Sequence, residues 1–216
     1  MTAPAVTFDL WHTLVYLAPQ AEEEYMRRQL EAAARVLAAS DLADGAPVRR
    51  REELRQAFER EYADAVIAAR EGRSVSPAQQ LVRAAERTGR APRPEAYEAA
   101  LGRLLGSLPL RLAPNALEVL GELGEEGYAL GIVSNTVGEP GRLLRPLLRA
   151  FGFDRYVGAY TFSDEHPWAK PSPEIFRATL RALGSDPARA IHVGDGWADI
   201  EGARRVLPHP GRAREG

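Results

Sequence analysis

The 216-residue sequence contains no cysteine, a single lysine, Lys170, and no apolar run long enough to cross a bilayer. The absence of cysteine excludes a disulfide framework, a thiolate metal site and a cysteine nucleophile, and it fits a reducing compartment. A membrane-spanning helix needs about 20 consecutive apolar residues. The N-terminal segment MTAPAVTFDL also lacks the basic start of a secretory signal. We therefore expect a cytoplasmic protein with no membrane segment.

The charge balance gives no reason to expect a nucleic-acid partner. The formal net charge is -2, and the chain contains neither an RNA-binding signature nor a zinc-finger spacing. The expected partner is a small-molecule substrate. Nothing in the sequence indicates an oligomeric state.

The scarcity of lysine makes Lys170 a candidate functional residue. Lysine and arginine together number 28, and all but Lys170 are arginine. A compact ammonium group and a forked guanidinium group do different chemistry. We therefore expect that position 170 needs an ammonium group.

The pattern along the chain predicts an α/β core that a helical segment interrupts. Val6 to Leu10 form a short apolar run around Asp9, which is typical of a buried strand that ends in a polar residue. Apolar residues then recur at helical spacing in four stretches between about residues 20 and 107: 22–39, 52–70, 76–89 and 94–107. The first two are separated by a break at Asp44 to Pro47.

Beyond Pro114 the pattern alternates between helix and strand. The helices are predicted at 114–127, 140–152, 172–184 and 198–207, and the strands at 128–134, 156–164 and 188–195. Such alternation predicts a parallel, Rossmann-like sheet with right-handed crossovers. The expected division is a core of residues 1–17 and 109–216 and an all-helical insert of residues 18–108. The last nine residues, PHPGRAREG, are predicted to be unstructured.

Polar residues stand where the predicted strands end. Asp9 ends the first strand, Ser134 and Asn135 end the second, and Asp195 ends the last, while Lys170 follows the third on a loop. The carboxyl ends of parallel strands meet at one edge of a sheet, where ligands bind. We therefore expect these groups to form one site.

Four segments carry a resemblance to the haloacid dehalogenase superfamily. FDLWHTL, with Asp9 and Thr13, resembles the first motif of that superfamily, and IVSNT, with Ser134, resembles the second. KPSPEIF, with Lys170, is similar to the third, and HVGDGWADIEGA, with Asp195 and Asp199, is similar to the fourth. The order of the motifs and the helical insert after the first strand also fit. The insert corresponds to the cap of that superfamily.

The resemblance implies a site chemistry. Asp9 would be the covalent nucleophile, Ser134 would bind a transferring oxygen, and Lys170 would neutralise charge. Mg²⁺ would be held by the carboxylates of Asp9 and Asp195 and the backbone carbonyl of Trp11, with Asp199 in support. The candidate substrate contacts are His12, Thr13 and Asn135, although capping of the next helix is an alternative for Asn135.

Trp11 leaves the reaction open. Phosphatases of the superfamily usually carry an aspartate at this position, which protonates the leaving alcohol, whereas its dehalogenases usually carry an aromatic residue and need no metal. The fourth motif, with Asp195, is that of the Mg²⁺-dependent branch, and an Asp195 expected to be buried would need a cation. A Mg²⁺-dependent phosphatase acting on a small phosphorylated metabolite is therefore favoured. The alternatives are a metal-independent 2-haloacid dehalogenase and a catalytically weak binding or regulatory protein.

Overall fold

A four-stranded parallel sheet forms the centre of the protein. The structure is a computed structural model that describes residues 2–39 and 48–207. The strands of the main sheet are β1 (Ala5–Phe8), β4 (Ala129–Ser134), β5 (Val157–Phe162) and β6 (Ala190–Val193), and their order across the sheet is β5-β4-β1-β6. All three pairings are parallel. The predicted α/β fold class is confirmed.

Four helices cover the sheet or its edge. They are α5 (Ala116–Glu125), α6 (Gly141–Phe151), α7 (Pro173–Leu183) and α8 (Trp197–Arg204). Leu130 and Ile132 of β4 pack in a core that also contains residues of α5 and α6. Val133 packs instead with Ile175 and Phe176 of α7. Successive side chains of a strand point to opposite faces, so α7 covers one face and α5 and α6 the other.

In the described part of residues 19–105 the regular elements are helices, joined by short turns. Its helices are α1 (Pro19–Ala38), α2 (Val48–Arg70), α3 (Pro77–Arg87) and α4 (Pro94–Leu105). They share a separate apolar core, in which Leu30, Phe58, Leu81 and Leu101 are almost fully buried. Since α1 and α3 each pack against both α2 and α4, the four helices bury their apolar faces against one another. No helix in the described part of the chain is both long and apolar enough to cross a membrane.

The structure adds one element that the pattern did not indicate. A short antiparallel ribbon of β2 (Val15–Tyr16) and β3 (Arg111–Leu112) stands where the chain enters and leaves the helical segment. Two-residue strands are too short for an alternation signal. The predicted break at Asp44 to Pro47 and the predicted unstructured tail at residues 208–216 lie outside the described residues. The domain bounds given above stay a prediction.

Candidate active site

Three strands bring polar side chains to the same edge of the sheet. Asp9 directly follows β1, Ser134 is the last residue of β4, and Asp195 comes two residues after β6. The strands are parallel, and β1 lies between β4 and β6. These residues therefore share the carboxyl edge, where ligands bind in open α/β sheets.

The Lys170 ammonium group lies between two carboxylates. Its Nζ atom donates to Asp9 Oδ1 at 2.5 Å and to Asp199 Oδ1 at 2.6 Å. All three residues are buried, and Lys170 is only 4% exposed. Buried charges need such close pairing because the transfer of a charge from water into the protein interior costs free energy. The single lysine of the chain thus contacts the predicted nucleophile.

The backbone at position 170 is held by the side chain of Asn135. The Asn135 amide donates from Nδ2 to the Lys170 carbonyl at 3.0 Å, and it accepts the Lys170 N–H at its Oδ1 at 2.7 Å. Both ends of the amide are therefore engaged, so Asn135 positions the loop between β5 and α7 that carries Lys170, which we call the Lys170 loop. A direct contact of Asn135 with substrate stays a prediction.

The Lys170 loop also contacts the turn between α2 and α3. The Ser74 N–H donates to the Pro167 carbonyl at 3.1 Å, and the Ala169 N–H donates to the Gly72 carbonyl at 3.0 Å. His166 and Trp168 stack at 5.9 Å between ring centroids on the same loop. The helical segment is thus connected by hydrogen bonds to the loop that carries the site ammonium.

Asp199 is held by a chain of hydrogen bonds that the sequence did not indicate. His192 Nε2 lies 2.9 Å from Asp199 Oδ1, and His192 Nδ1 lies 2.9 Å from the Thr7 hydroxyl. The Gly196 N–H donates to the other carboxylate oxygen, Oδ2, at 3.1 Å. A neutral His192 satisfies both neighbours when Nε2 carries the proton and Thr7 donates to Nδ1. His192 is therefore a core histidine with a partner at each ring nitrogen.

The two buried carboxyl groups differ in their electrostatics. Burial raises the pKa of Asp9 above its usual value, although the Lys170 ammonium group opposes this effect. Burial also raises the pKa of Asp199, but the hydrogen bond from His192 and the charge of Lys170 outweigh it and hold that pKa at about 2. Asp199 is thus ionised near neutral pH, whereas the Lys170 ammonium group favours the ionised form of Asp9 against the effect of burial.

Three carboxylates meet at the carboxyl edge. Asp9, Asp195 and Asp199 each offer an oxygen, and these atoms all lie within 4.8 Å of one another. Carboxylate oxygens are the ligands that Mg²⁺ prefers, so the donor set fits this ion.

The expectation that Asp195 is buried was wrong. Asp195 is exposed, since it lies on the open loop after β6. The cost of an isolated buried charge therefore gives no argument for a cation at Asp195.

Several polar atoms beside Asp9 have no partner. Ser134 Oγ, Thr13 Oγ1 and Trp11 Nε1 are buried and have no hydrogen-bond partner among the described residues. Leaving such a group unsatisfied costs about 1–3 kcal/mol, and each instance asks for an explanation. For Ser134 and Thr13, a bound substrate is an explanation that fits their predicted roles.

His12 points toward the helical segment. Its backbone has a left-handed φ of 60°, and its Nε2 lies 3.4 Å from Glu22 Oε1 at the start of α1. Left-handed backbone is uncommon outside glycine and can store strain near functional sites. His12 therefore connects the loop after β1, which carries Asp9 and is called the nucleophile loop below, to the start of α1.

A further cluster, missed by the sequence analysis, holds the loop after β4. The Thr136 hydroxyl donates to Asp164 Oδ1 at 2.5 Å, and the same oxygen accepts the Gly141 N–H at 3.0 Å, at the start of α6. The Thr136 N–H donates to Ser163 Oγ at 2.8 Å. Burial raises the pKa of Asp164. These contacts hold the loop after Ser134 against the end of β5.

Part of the chain is similar in sequence to a known phosphatase. A phosphoglycolate phosphatase of Aquifex aeolicus is 38% identical over 94 residues, which are 43% of this chain and 42% of that protein. The chain thus matches about two fifths of the length of that relative.

Two solved structures share the fold over most of the chain. A HAD phosphatase from Thermococcus onnurineus has a TM-score of 0.61 and 25% identity, with 95% of this chain and 83% of that chain covered. A 2-haloacid dehalogenase from Pseudomonas syringae pv. Tomato has a TM-score of 0.57 and 23% identity, with 95% and 84% covered. A family model described as a haloacid dehalogenase-like hydrolase matches residues 3–206. The chain therefore belongs to the haloacid dehalogenase-like hydrolase family.

Proposed function

We propose that this protein is a Mg²⁺-dependent phosphatase that uses Asp9 as its nucleophile on a small phosphorylated metabolite. The observation that carries the proposal is the grouping of carboxylate oxygens of Asp9, Asp195 and Asp199 within 4.8 Å of one another, with a buried Lys170 paired to Asp9 and Asp199. The Aquifex relative, which is named as a phosphatase, supports the same reaction type.

The chemistry follows from the positions of the side chains. The Asp9 carboxylate attacks phosphorus, the bond to the leaving oxygen breaks, and the resulting acyl phosphate is then cleaved by water. Bound Mg²⁺, held by Asp9, Asp195 and the Trp11 carbonyl with Asp199 in support, would supply positive charge at the phosphoryl oxygens. Lys170 keeps Asp9 anionic before attack. The Ser134 hydroxyl donates to a phosphoryl oxygen.

The leaving group receives no proton from position 11. An aspartate there would be the general acid, but the Trp11 indole N–H is not an acid of useful strength. Phosphate esters of acidic alcohols therefore react faster than esters of alkyl alcohols, because an acidic alcohol leaves as a stable anion.

Trp11 also supports a second candidate, dehalogenation of a 2-haloacid. A departing halide needs no proton, so the absence of an acid at position 11 has no cost in that reaction. Asp9 would displace the halide from carbon and form an ester that water cleaves. This reaction needs no metal, and it leaves the exposed Asp195 without a role.

The two reactions are separated by their products and by chelation. We would measure phosphate release from 4-nitrophenyl phosphate and from ethyl phosphate, and halide release from 2-chloropropionate, each with Mg²⁺ and with EDTA. The proposal expects phosphate release that needs Mg²⁺ and is at least about 100-fold lower in Asp9→Asn. Asp186→Asn is the matched control, since Asp186 is exposed and only caps a short turn.

Three results count against the phosphatase. Halide release that EDTA does not affect would establish the dehalogenase instead. Binding of phosphate esters without any turnover would establish a binding protein. Phosphate release that Asp9→Asn does not reduce would exclude Asp9 as the nucleophile.

We also propose a division into cap and core and a cellular location for this protein. Residues 18–108 would act as a cap over a core of residues 1–17 and 109–216, because α1 to α4 have their own apolar core and the turn between α2 and α3 is hydrogen-bonded to the Lys170 loop. The cysteine-free sequence supports a cytoplasmic location.

A further inference from the structure

A cavity of about 280 Å³ lies beside the nucleophile loop, and we call it the leaving-group cavity. Its lining includes Trp11 from the loop after β1, Glu139 from the loop after β4, Tyr25 from α1 and Tyr62 from α2. Trp11 is two residues from Asp9, and Glu139 is five residues from Ser134. The cavity therefore lies between the two loops that carry the site and the helical segment.

The walls of the leaving-group cavity are largely apolar. Trp11, Tyr25 and Tyr62 contribute aromatic rings, and Leu17, Met26 and Leu108 contribute aliphatic surface. Ligand pockets bind mainly through such surface, with a few polar groups that fix orientation. At this volume the cavity is near the small end of ligand pockets, so its occupant is a small group.

The charged groups of the cavity are acidic. Glu22 and Glu139 both line it, and no arginine or lysine is found among the described residues of its lining. His12 also lines it, and its Nε2 lies 3.4 Å from Glu22 Oε1, so the imidazole already faces a carboxylate of the lining. An anionic ligand group would find no arginine or lysine among the lining residues that the structure describes.

We propose that this cavity receives the alcohol part of the substrate and selects phosphate monoesters whose alcohol is apolar or aromatic and carries no second anionic group. The proposal rests on the proposed phosphatase function, and it defines the substrate class of the same site. A carboxylate in the cavity would lose its hydration and would lie near like charge, which disfavours binding.

The state of Glu139 agrees with this selection. Burial raises the pKa of Glu139 to about 7, although hydrogen bonding by the backbone of Glu139 itself acts in the opposite direction. The cavity thus already disfavours the ionised form of one of its own carboxyl groups, that of Glu139. A ligand carboxylate would meet the same desolvation without a compensating cation.

The substrate preference proposed for this cavity differs from the substrate for which the Aquifex relative is named. That protein is named for phosphoglycolate, whose alcohol part carries a carboxylate. The leaving-group cavity of this chain offers that carboxylate two glutamates and no described arginine or lysine. We therefore expect phosphoglycolate to be a poor substrate.

Two aryl phosphates of equal shape test the proposal. They are 4-isobutylphenyl phosphate and 4-(carboxymethyl)phenyl phosphate, which have similar leaving groups but differ in one negative charge. With Mg²⁺ at pH 8, above the pKa of about 7 of Glu139, we expect kcat/KM to be at least about tenfold higher for the isobutyl ester. In the double variant Glu22→Gln/Glu139→Gln the ratio should fall below about threefold. Glu24→Gln is the matched control, because Glu24 is on the same helix, pairs with Arg27 and does not line the cavity.

A binding measurement keeps this test independent of turnover. The dissociation constants of both esters for the Asp9→Asn variant would be measured by calorimetry. If neither ester is hydrolysed by the unaltered protein but the isobutyl ester binds at least about tenfold more tightly, the phosphatase fails and the cavity assignment stands. Equal binding, preference for the carboxylate, binding of neither ester, or a ratio that the glutamine variants do not change overturns the cavity assignment.

Discussion

Replacement of Lys170 by methionine tests whether the site is held together by charge. The ammonium group of Lys170 contacts Asp9 and Asp199 at 2.5 and 2.6 Å, and all three residues are buried. Methionine has a similar length but no charge, so Lys170→Met leaves the packing nearly filled. It also leaves two buried carboxylates without their shared cation.

The expected cost follows from this geometry. Removing one partner of a buried ion pair typically costs about 3–5 kcal/mol, because the remaining charge stays buried and unpaired. Here two carboxylates lose the same partner, while Asp199 keeps its hydrogen bonds to His192 and Gly196. We therefore expect Lys170→Met to lower the free energy of unfolding by about 3–5 kcal/mol at pH 8.

The pH dependence separates charge from packing. Burial already raises the pKa of Asp9 in the folded state, and loss of Lys170 removes an opposing effect, so this pKa rises further. A carboxyl group whose folded pKa exceeds its unfolded value destabilises the fold as pH rises through the folded pKa. The deficit of the variant should therefore be smaller at pH 4.5 than at pH 8, by at least about 1 kcal/mol.

Urea unfolding of both proteins at pH 4.5 and pH 8, with EDTA present, measures this deficit. EDTA prevents a divalent cation from replacing the lost ammonium group. The double variant Lys170→Met/Asp199→Asn is the control, and it should recover about 1–3 kcal/mol at pH 8 because one of the facing charges is gone. A deficit of equal size at both pH values, without recovery in the double variant, would refute the electrostatic reasoning and leave only packing.

Three further predictions concern single residues. Lys170→Arg should lower kcat/KM for 4-nitrophenyl phosphate at least about tenfold, since the larger planar guanidinium does not fit where one ammonium meets two carboxylates; an active Lys170→Arg protein would show that any cation suffices. Glu139→Gln should flatten the pH dependence of the urea midpoint between pH 4.5 and pH 8. The pKa of Glu139, raised to about 7, makes the unaltered protein lose stability over this range, by about 1–2 kcal/mol after allowance for partial exposure. Thr136→Val should lower the free energy of unfolding by about 1–3 kcal/mol, because Asp164 loses its hydroxyl partner; unchanged thermal unfolding would contradict that role.

Much of the fold could be predicted because its signals are local. Helical spacing of apolar residues placed α1 to α4, and alternation of helix and strand placed the parallel sheet. The bounds of α1 and α2 were the least accurate, since α1 begins at Pro19 and α2 begins at Val48, before the apolar pattern becomes regular. The β2–β3 ribbon was missed because it joins residues almost 100 positions apart through two-residue strands.

The site was predictable only in part. Asp9 and Lys170 were marked by their motifs and by the rarity of lysine, and the structure places them in contact. The partners that hold them were not marked. Asn135 binds a backbone 35 residues away and Thr7 binds His192 185 residues away, and no local pattern records such pairs. The exposure of Asp195 was misjudged because a strand-end position does not determine how open the following loop is.

Trp11 connects the reaction to the substrate. In the proposed phosphatase reaction no acid stands at this position, so the leaving oxygen would depart as an anion, which would favour acidic alcohols such as phenols, with a pKa of about 10, over alkyl alcohols. The same indole forms part of the aromatic wall of the leaving-group cavity, and aromatic rings pack well against aromatic rings. In the proposed reaction, tryptophan in place of the usual aspartate would both remove the proton donor and form a wall that suits leaving groups that need no proton. The missing acid and the aromatic wall both favour aromatic alcohols. If the cavity had favoured alkyl alcohols instead, Trp11 would be better explained as a residue of a protein without phosphatase activity.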